Sequence, residues 1–277
     1  MLRSRLRRVH ELALLHLMRP GRRPHAPGAA SSAPPDETIA RLDDGSRALV
    51  AATSARRAAL ELEGAAAFTA VTHALVELRA DARIVDLAAR AVAEEIRHAE
   101  IYRELASVYE GRDAPAADPL RVAPIEVPAY PGVSPRHESV LRVVGMCSIN
   151  ETMACSFLEL CFTGAAAPRV RAGVREILED EIRHARIGWA YLGSPDVGDA
   201  ERRVVSAWLA PMLEAQWARW RAQIATLPSL ELAAHGCPSA SAIERASLAS
   251  IRDLVLPGFV RAGIDVSDAR AWAARLA

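Results

Sequence analysis

The chain has 277 residues and an ordinary globular composition, and its charge balance excludes several classes of protein. Hydrophobic residues make up 51% of the chain, which is enough for a sizeable core, and 34 basic residues balance 34 acidic ones. A chain of zero net charge offers no electrostatic surface for nucleic acid, so we expect no nucleic-acid partner. All the basic residues are arginine, and the absence of lysine excludes Schiff-base and P-loop chemistry.

The cysteines and the apolar runs indicate a cytoplasmic chain. Cys147, Cys155 and Cys161 fall in one apolar stretch without the spacing of a disulfide framework, and Cys237 stands apart from them. Reduced thiols of this kind are typical of a reducing compartment. No apolar run approaches the roughly 18–20 residues that a membrane-spanning helix requires. We therefore expect a cytoplasmic protein with no membrane span.

The periodicity of the chain predicts an all-α fold in three parts. Residues 1–37 are expected to form a short N-terminal helix followed by a Pro/Gly/Ala-rich linker. From residue 38 onward apolar residues recur at helical spacing, and no alternation with period two predicts a strand. Residues 38–192 are expected to form a four-helix bundle, and residues 193–277 are expected to add C-terminal helices that pack on it.

The predicted bundle consists of two helical hairpins joined by one long connection. Its helices are expected at about 38–79, with a break near Gly45, and at about 83–110, 136–163 and 169–192. Residues 111–135 contain six prolines, so a crossover without a helix of its own is expected between helices 2 and 3. Later helices are expected at about 199–226, from Ser241 to near Pro257, and at 268–276.

A pentapeptide that occurs twice contains the candidate functional residues. Residues 95–99 and residues 181–185 both read Glu-Ile-Arg-His-Ala, each on the second helix of its hairpin and each preceded by an acid, Glu94 or Asp180. A single Glu-x-x-His is a weak signal, but two identical copies in equivalent positions are unlikely to arise by chance. Residues i and i+3 share one face of a helix, so each Glu and His point to the same place.

The other two helices of the bundle are expected to supply one acid each. On helix 3, Glu151 is the only charge in an apolar stripe that includes Cys147, Cys155 and Leu158. On helix 1 two acids are available. Glu61 shares its face with apolar residues, whereas Glu63 shares a more polar face, although the spacing between the motifs slightly favours Glu63. We choose Glu61 and keep Glu63 as the alternative.

Four carboxylates and two histidines that face one core require a partner. Buried unpaired charges cost several kcal/mol each, and clustered acids repel one another. Two divalent cations would neutralise four carboxylates, and carboxylate oxygen with imidazole nitrogen suits Fe(II) or Mn(II). The alternative is that these residues form salt bridges on a solvated face. The predicted metal ligands are Glu61, Glu95, His98, Glu151, Glu181 and His184.

This pattern resembles the ferritin-like di-iron carboxylate superfamily over residues 38–192. The resemblance implies a ferritin-like four-helix bundle with the long crossover between helices 2 and 3. It also implies two Fe ions as cofactor, with Mn or a mixed Mn/Fe pair as variants, and O2 as a partner. Tyr102 follows His98 by four residues, a spacing that resembles the radical tyrosine of ribonucleotide reductase small subunits; a core tyrosine is the alternative.

Three functions are compatible with this pattern. The leading hypothesis is a non-haem di-iron oxidoreductase that activates O2 to oxidise a small organic substrate, with the crossover and the C-terminal helices covering a substrate pocket. The second is a peroxidase or ferroxidase of ferritin-like type that needs no organic substrate. The third is a metal-free helical interaction protein with a degenerate site. An electron-donor protein and a homodimer are compatible with the first two.

Overall fold

The computed structural model describes residues 37–110, 120–227 and 232–276. These residues are helical and include no strand, which confirms the all-α prediction for the described part of the chain. The short helix and linker predicted over residues 1–37 lie outside the described residues, apart from Glu37. None of the helices in the described ranges is long and apolar enough to cross a membrane.

The first hairpin consists of two long helices that pack along each other. A short helix α1 (Glu37–Ala40) precedes α2 (Asp44–Glu77), and a tight turn leads into α3 (Ala82–Glu110). The side chain of Asp43 accepts a hydrogen bond from the Ser46 amide at 2.8 Å, which caps the start of α2. The predicted break near Gly45 is therefore present, at the residues immediately before α2.

The second hairpin differs from a plain pair of α-helices. Its first arm consists of α4 (Pro135–Val143), a π-helical segment π1 (Val144–Asn150) and α5 (Glu151–Gly164), and its second arm is α6 (Pro168–Leu192). A proline at the first turn starts each arm, where its missing N–H costs nothing. Residues 120–134 of the predicted crossover contain no helix. The π-helical segment is a feature that the sequence did not predict.

The two hairpins pack together so that four helical arms share one interior. Helix α3 packs against α6, and α2 packs against α4. The interior side of α2 carries the buried Ala65 and Phe68, and that of α6 carries Val174 and Ile177. This arrangement is compatible with a ferritin-like bundle.

The C-terminal part continues from α7 (Asp199–Ala225) to α8 (Ala240–Ser250), the π-helical segment π2 (Ile251–Val255), α9 (Leu256–Arg261) and α10 (Ser267–Ala274). Helix α7 packs on α4 and π1, and α8 packs on α5. The helix end predicted near Pro257 is wrong, because helical structure continues to Arg261. Pro257 lies in the first turn of α9, directly after π2, so the helical run continues past it although proline supplies no backbone donor. The proposed division of the chain at residue 193 stays a prediction.

Candidate metal centre

The two copies of the pentapeptide meet where α3 packs against α6. Glu95 and His98 project from α3, and Glu181 and His184 project from α6, and all four side chains are buried. The i, i+3 spacing places each pair on one face, and the packing of the two helices brings the faces together. The ring of Phe68 on α2 covers the ring of His184, with 4.8 Å between the ring centroids.

Each of the two repeat acids offers one oxygen to each histidine. The Glu95 carboxylate places Oε2 3.6 Å from His98 Nδ1 and Oε1 3.3 Å from His184 Nδ1. The Glu181 carboxylate places Oε1 3.4 Å from His98 Nδ1 and Oε2 3.3 Å from His184 Nδ1. Both carboxylates therefore lie between the two imidazoles, in positions from which each can bridge a pair of cations.

Glu61 and Glu151 complete two overlapping groups that could each hold a metal ion. One group contains Glu61, Glu95, His98 and Glu181, and the other contains Glu95, Glu151, Glu181 and His184. Within each group one ligand atom from every residue lies within 4.8 Å of the others. The structure thus brings together all six of the predicted ligands. We call these six residues the Glu/His cluster.

The structure places Glu61 in the cluster and Glu63 outside it. Glu61 Oε2 lies 3.6 Å from His98 Nδ1, and its side chain is 17% exposed. Glu63 is 49% exposed and forms an ion pair with Arg219 of α7, at 2.9 Å. Gly64 allows α2 to approach the cluster, because a Cβ at this position would lie 2.9 Å from Glu95 Oε2.

The second nitrogen of each imidazole is hydrogen-bonded to an acid of the opposite helix. His98 Nε2 lies 3.1 Å from Asp180 Oδ2, and His184 Nε2 lies 2.9 Å from Glu94 Oε2. An ionised carboxylate can only accept a hydrogen bond, so Nε2 of each ring carries a proton and donates it. In a neutral ring, Nδ1 then keeps its lone pair, which is available to a metal. Arg97 pairs with Asp180, and Arg183 pairs with both Asp180 and Glu94.

Three buried atoms at the centre of the cluster have no well-aligned hydrogen-bond partner within the described part of the chain, although carboxylate oxygens lie 3.3–3.6 Å from both Nδ1 atoms. They are His98 Nδ1, His184 Nδ1 and Glu181 Oε2. A buried polar atom without a partner costs about 1–3 kcal/mol, so such atoms are rare in folded proteins. A cation between them would satisfy all three. Carboxylate oxygen and imidazole nitrogen are donors that suit Fe, Mn and Zn, so the residues present fit a metal ion.

The pKa values of the cluster acids and histidines are strongly shifted when no cation is bound. Burial raises the pKa of Glu61 and of Glu151 well above the usual value. Burial would also raise the pKa of Glu181, but its interactions with Glu151 and the histidines hold it well below the usual value. Burial opposes protonation of His98 and His184, yet the surrounding carboxylates raise the pKa of both rings well above the usual value. Protons therefore occupy the cluster when metal does not.

A cavity of about 180 Å³ adjoins the cluster on one side. Four cluster acids form part of its wall, and Tyr102, which is almost fully buried, lines it as well. Ile125 from the crossover and Trp220 from α7 also line it. The cavity wall thus includes segments that lie outside the four helical arms. The redox role of Tyr102 stays a prediction.

Sequence reasoning missed three features of the site. Glu94 occupies the same place in its repeat as Asp180, and this equivalence was the signal for its contact with His184. Asn150, the last residue of π1, donates from Nδ2 to Glu151 Oε1 at 3.0 Å and is itself contacted by Gln216 and Trp220 of α7. Arg57, one turn before Glu61, lines the cavity. Neither of these last two had a local sequence signal.

Comparison with models of protein families, with curated proteins and with solved structures finds no match to this chain. The fold and the cluster therefore define a helical protein with a buried Glu/His site that could bind metal.

Proposed function

We propose that the chain is a non-haem di-iron oxidoreductase of ferritin-like type that activates O2 to oxidise a small organic substrate. One observation carries the proposal. Two overlapping Glu/His groups share Glu95 and Glu181, and the Nδ1 atoms of both histidines lack a well-aligned hydrogen-bond partner in the described residues. This is the donor set and the overlap that two adjacent cations require.

The donors fit iron or manganese as well as zinc, and the proposed redox chemistry requires iron or manganese. All six donor residues of the cluster are carboxylates or imidazoles, which suit Fe(II), Mn(II) or a mixed pair. Cys147 and Cys155 lie one turn on either side of Glu151, but burial raises the pKa of both thiols well above the usual value. Neither Sγ atom is among the ligand atoms that converge in the two groups, so in this proposal the cysteines act as small apolar residues beside the site.

The residues of the chain have separable roles in this proposal. Two iron ions, when bound, would supply the electrons for O2 reduction. Glu95 and Glu181, which belong to both groups, would be shared by the two ions, and Glu61 and Glu151 would each contribute to one group. Asp180 and Glu94 orient the imidazoles. The four cluster carboxylates balance the charge of two divalent cations, so the loaded site is close to neutral in its buried position.

The cavity favours oxidation of an organic substrate over a ferroxidase or peroxidase activity. A site that only oxidises iron or reduces peroxide needs a narrow path, whereas this cavity of about 180 Å³ combines cluster acids with an apolar wall. The convergence of six acidic and histidine side chains on one buried point disfavours the metal-free interaction protein, because such a protein has no need of a complete ligand set.

Metal content after anaerobic Fe(II) loading and desalting tests the proposal. We expect about two metal ions per chain. Glu61→Gln and Glu151→Ala should each lose metal, because each removes a cluster acid. Glu63→Gln is the matched control, since Glu63 is two residues from Glu61 on the same helix but pairs with Arg219.

Fewer than about 0.5 metal ions per chain in the unsubstituted protein would contradict the di-iron proposal. Equal metal loss in Glu61→Gln and Glu63→Gln would contradict the assignment of Glu61. For a protein that holds two ions, O2 uptake that depends on an added organic substrate would distinguish an oxygenase or oxidase from a ferroxidase.

A further inference from the structure

We propose that the cavity beside the Glu/His cluster binds a small monocarboxylic acid with an apolar body, and that Arg57 pairs with its carboxylate. This deepens the proposed function, on which it rests for the role of the bound acid as substrate. The binding itself can be tested separately.

Arg57 lies in the right place to position a molecule against the cluster. It is on α2 four residues before Glu61, so the two side chains share one face of the helix and both line the cavity. Side chains so spaced have Cβ atoms about 5–6 Å apart. A small molecule held by the guanidinium would therefore lie in the same cavity as the cluster acids.

The positive charge of Arg57 has no acidic partner among the described residues. Its Nη1 donates to the carbonyl oxygen of Gly236 at 2.9 Å, a neutral group. Burial raises the pKa of the neighbouring Cys161 thiol to about 11, even though Arg57 favours the thiolate. The thiol is therefore neutral and does not balance the charge of Arg57. The nearest acid along the helix is Glu61, whose charge belongs to the cluster.

Other features hold the guanidinium in the cavity wall. Its Cζ lies 5.0 Å from the centroid of the Phe157 ring and 5.7 Å from that of the Tyr102 ring, both within the range of cation–π contacts. Two further arginines line the cavity. Arg219 is paired with Glu63, and Arg56 donates to the carbonyl oxygen of Thr226 at 3.5 Å. The planar fork of Arg57 is suited to a carboxylate.

The rest of the cavity indicates an apolar body of about one ring. Its wall includes Leu60, Phe157, Leu158, Trp220, Ile224 and Ile243. The volume of about 180 Å³ is close to the ~150 Å³ of an engineered protein cavity that admits benzene. A dianion would bring a second charge into an apolar space, which is costly unless it is paired. A monoanion matches the guanidinium of Arg57, whose contact with Gly236 is partly buried, whereas the contact of Arg56 with Thr226 is exposed to solvent.

Calorimetric titration of the metal-loaded, anaerobic protein with benzoate tests the inference, and benzamide is the neutral ligand of the same shape. We expect benzoate to bind at least about tenfold more tightly than benzamide. Arg57→Met should weaken benzoate at least about tenfold and leave benzamide unchanged. Arg57→Lys should recover part of the affinity. Arg56→Met is the matched control, with an expected loss below about threefold.

Equal affinity for benzoate and benzamide would overturn the inference, and so would an Arg57→Met affinity for benzoate within about threefold of the original. A larger loss in Arg56→Met than in Arg57→Met would also overturn the assignment of Arg57. Thermal melting of each variant checks that it is folded. Metal content measured on the same samples separates the two proposals. If the loaded protein fails to hold metal but still binds benzoate in an Arg57-dependent way, the di-iron function is overturned and the carboxylate site is supported.

Discussion

At the scale of single residues, each of the two histidines is oriented by an acid from the other copy of the repeat. The acid that precedes each copy of the pentapeptide contacts the histidine of the other copy, so Asp180 holds His98 and Glu94 holds His184. Both rings therefore direct Nδ1 to the same point. Asp180 is the more buried acid and pairs with two arginines, Arg97 and Arg183.

Asp180→Asn should weaken metal binding without removing a ligand. The amide is a poorer acceptor than the carboxylate, so the His98 ring loses orientation and basicity, and we expect metal affinity to fall about 10–100-fold. Competition with a chelator of known affinity measures the change. Glu94→Gln should act in the same direction through His184.

Glu176→Gln is the matched control for this prediction. Glu176 also pairs with Arg97, at 3.1 Å, and lies on the same helix one turn before Asp180, but its side chain is 45% exposed. The loss of the Glu176 charge should change metal affinity by less than about threefold. An equal loss of affinity in Glu176→Gln and Asp180→Asn would show that the charge of the network matters, and not the contact with His98.

The site residues that could be predicted from the sequence are those whose position depends on neighbours in the same helix. Glu95 and His98 could be placed because a spacing of three on a helix fixes their common face. Glu61 required a comparison of two faces of one helix. Arg57 could not be found, because its environment depends on Gly236, which is 179 residues away in the chain.

At the scale of elements, the π-helical segment π1 sets the position of Glu151. It ends at Asn150, and Glu151 is the first residue of α5. Gly188 of α6 packs directly on π1, since a Cβ at this residue would lie 2.7 Å from the Ser148 amide nitrogen. Gly188 is also one turn after His184. The close approach of π1 and α6 therefore occurs beside two of the predicted ligands.

Gly188→Ala should destabilise the protein although alanine is the better helix former. The added methyl group must separate π1 from α6, and overpacking of this kind costs about 1–3 kcal/mol, against a gain of about 1 kcal/mol in helix propensity. We expect a melting temperature several degrees lower and weaker metal binding. Thermal unfolding followed by circular dichroism measures the first effect.

Gly193→Ala is the matched control, because a Cβ there would meet only backbone oxygens, the nearest at 3.4 Å, in ordinary contact. Its melting temperature should change little or rise. A Gly188→Ala protein as stable as Gly193→Ala would show that π1 can move away without cost.

The helices and the π-helical segment also differ in how far the sequence could predict them. Pro135 and Pro168 fix the starts of the two arms, and both starts were predicted to within one residue. The π-helical turns of π1 were not predictable, because the apolar stripe through Val144 and Cys147 fits ordinary helical spacing over so short a stretch. Only the packing against α6 distinguishes the two forms.

At the scale of the whole molecule, the cluster joins both hairpins. Its residues come from α2, α3, α5 and α6, so a bound metal would tie together helices that are distant in the chain. Without metal, the same cluster is held together by protons, since Glu61, Glu151, His98 and His184 all have a pKa above the usual value. The stability of the protein should therefore depend on pH in opposite ways in the two states.

The metal-free protein should lose stability as the pH rises from about 5 to 8. A group with a raised pKa binds its proton more tightly in the folded state, so its contribution is full at low pH and is lost as the pH rises through the folded-state pKa. The lowered pKa values of Glu95 and Glu181 act oppositely, but mainly below their usual value of 4.5. Melting temperatures of chelator-treated protein across this range provide the measurement.

Metal should reverse this trend, because cations and protons compete for the same carboxylates and imidazoles and metal affinity rises as protons leave. At a free metal concentration of about 100 times the dissociation constant, each bound ion adds about 2.7 kcal/mol to the free energy of unfolding. For a chain of this size that raises the melting temperature by roughly 5–10 °C per ion. Glu61→Gln should show a smaller rise and Glu63→Gln the full one. A metal-free protein that becomes more stable between about pH 5 and pH 8 would contradict a cluster held together by protons.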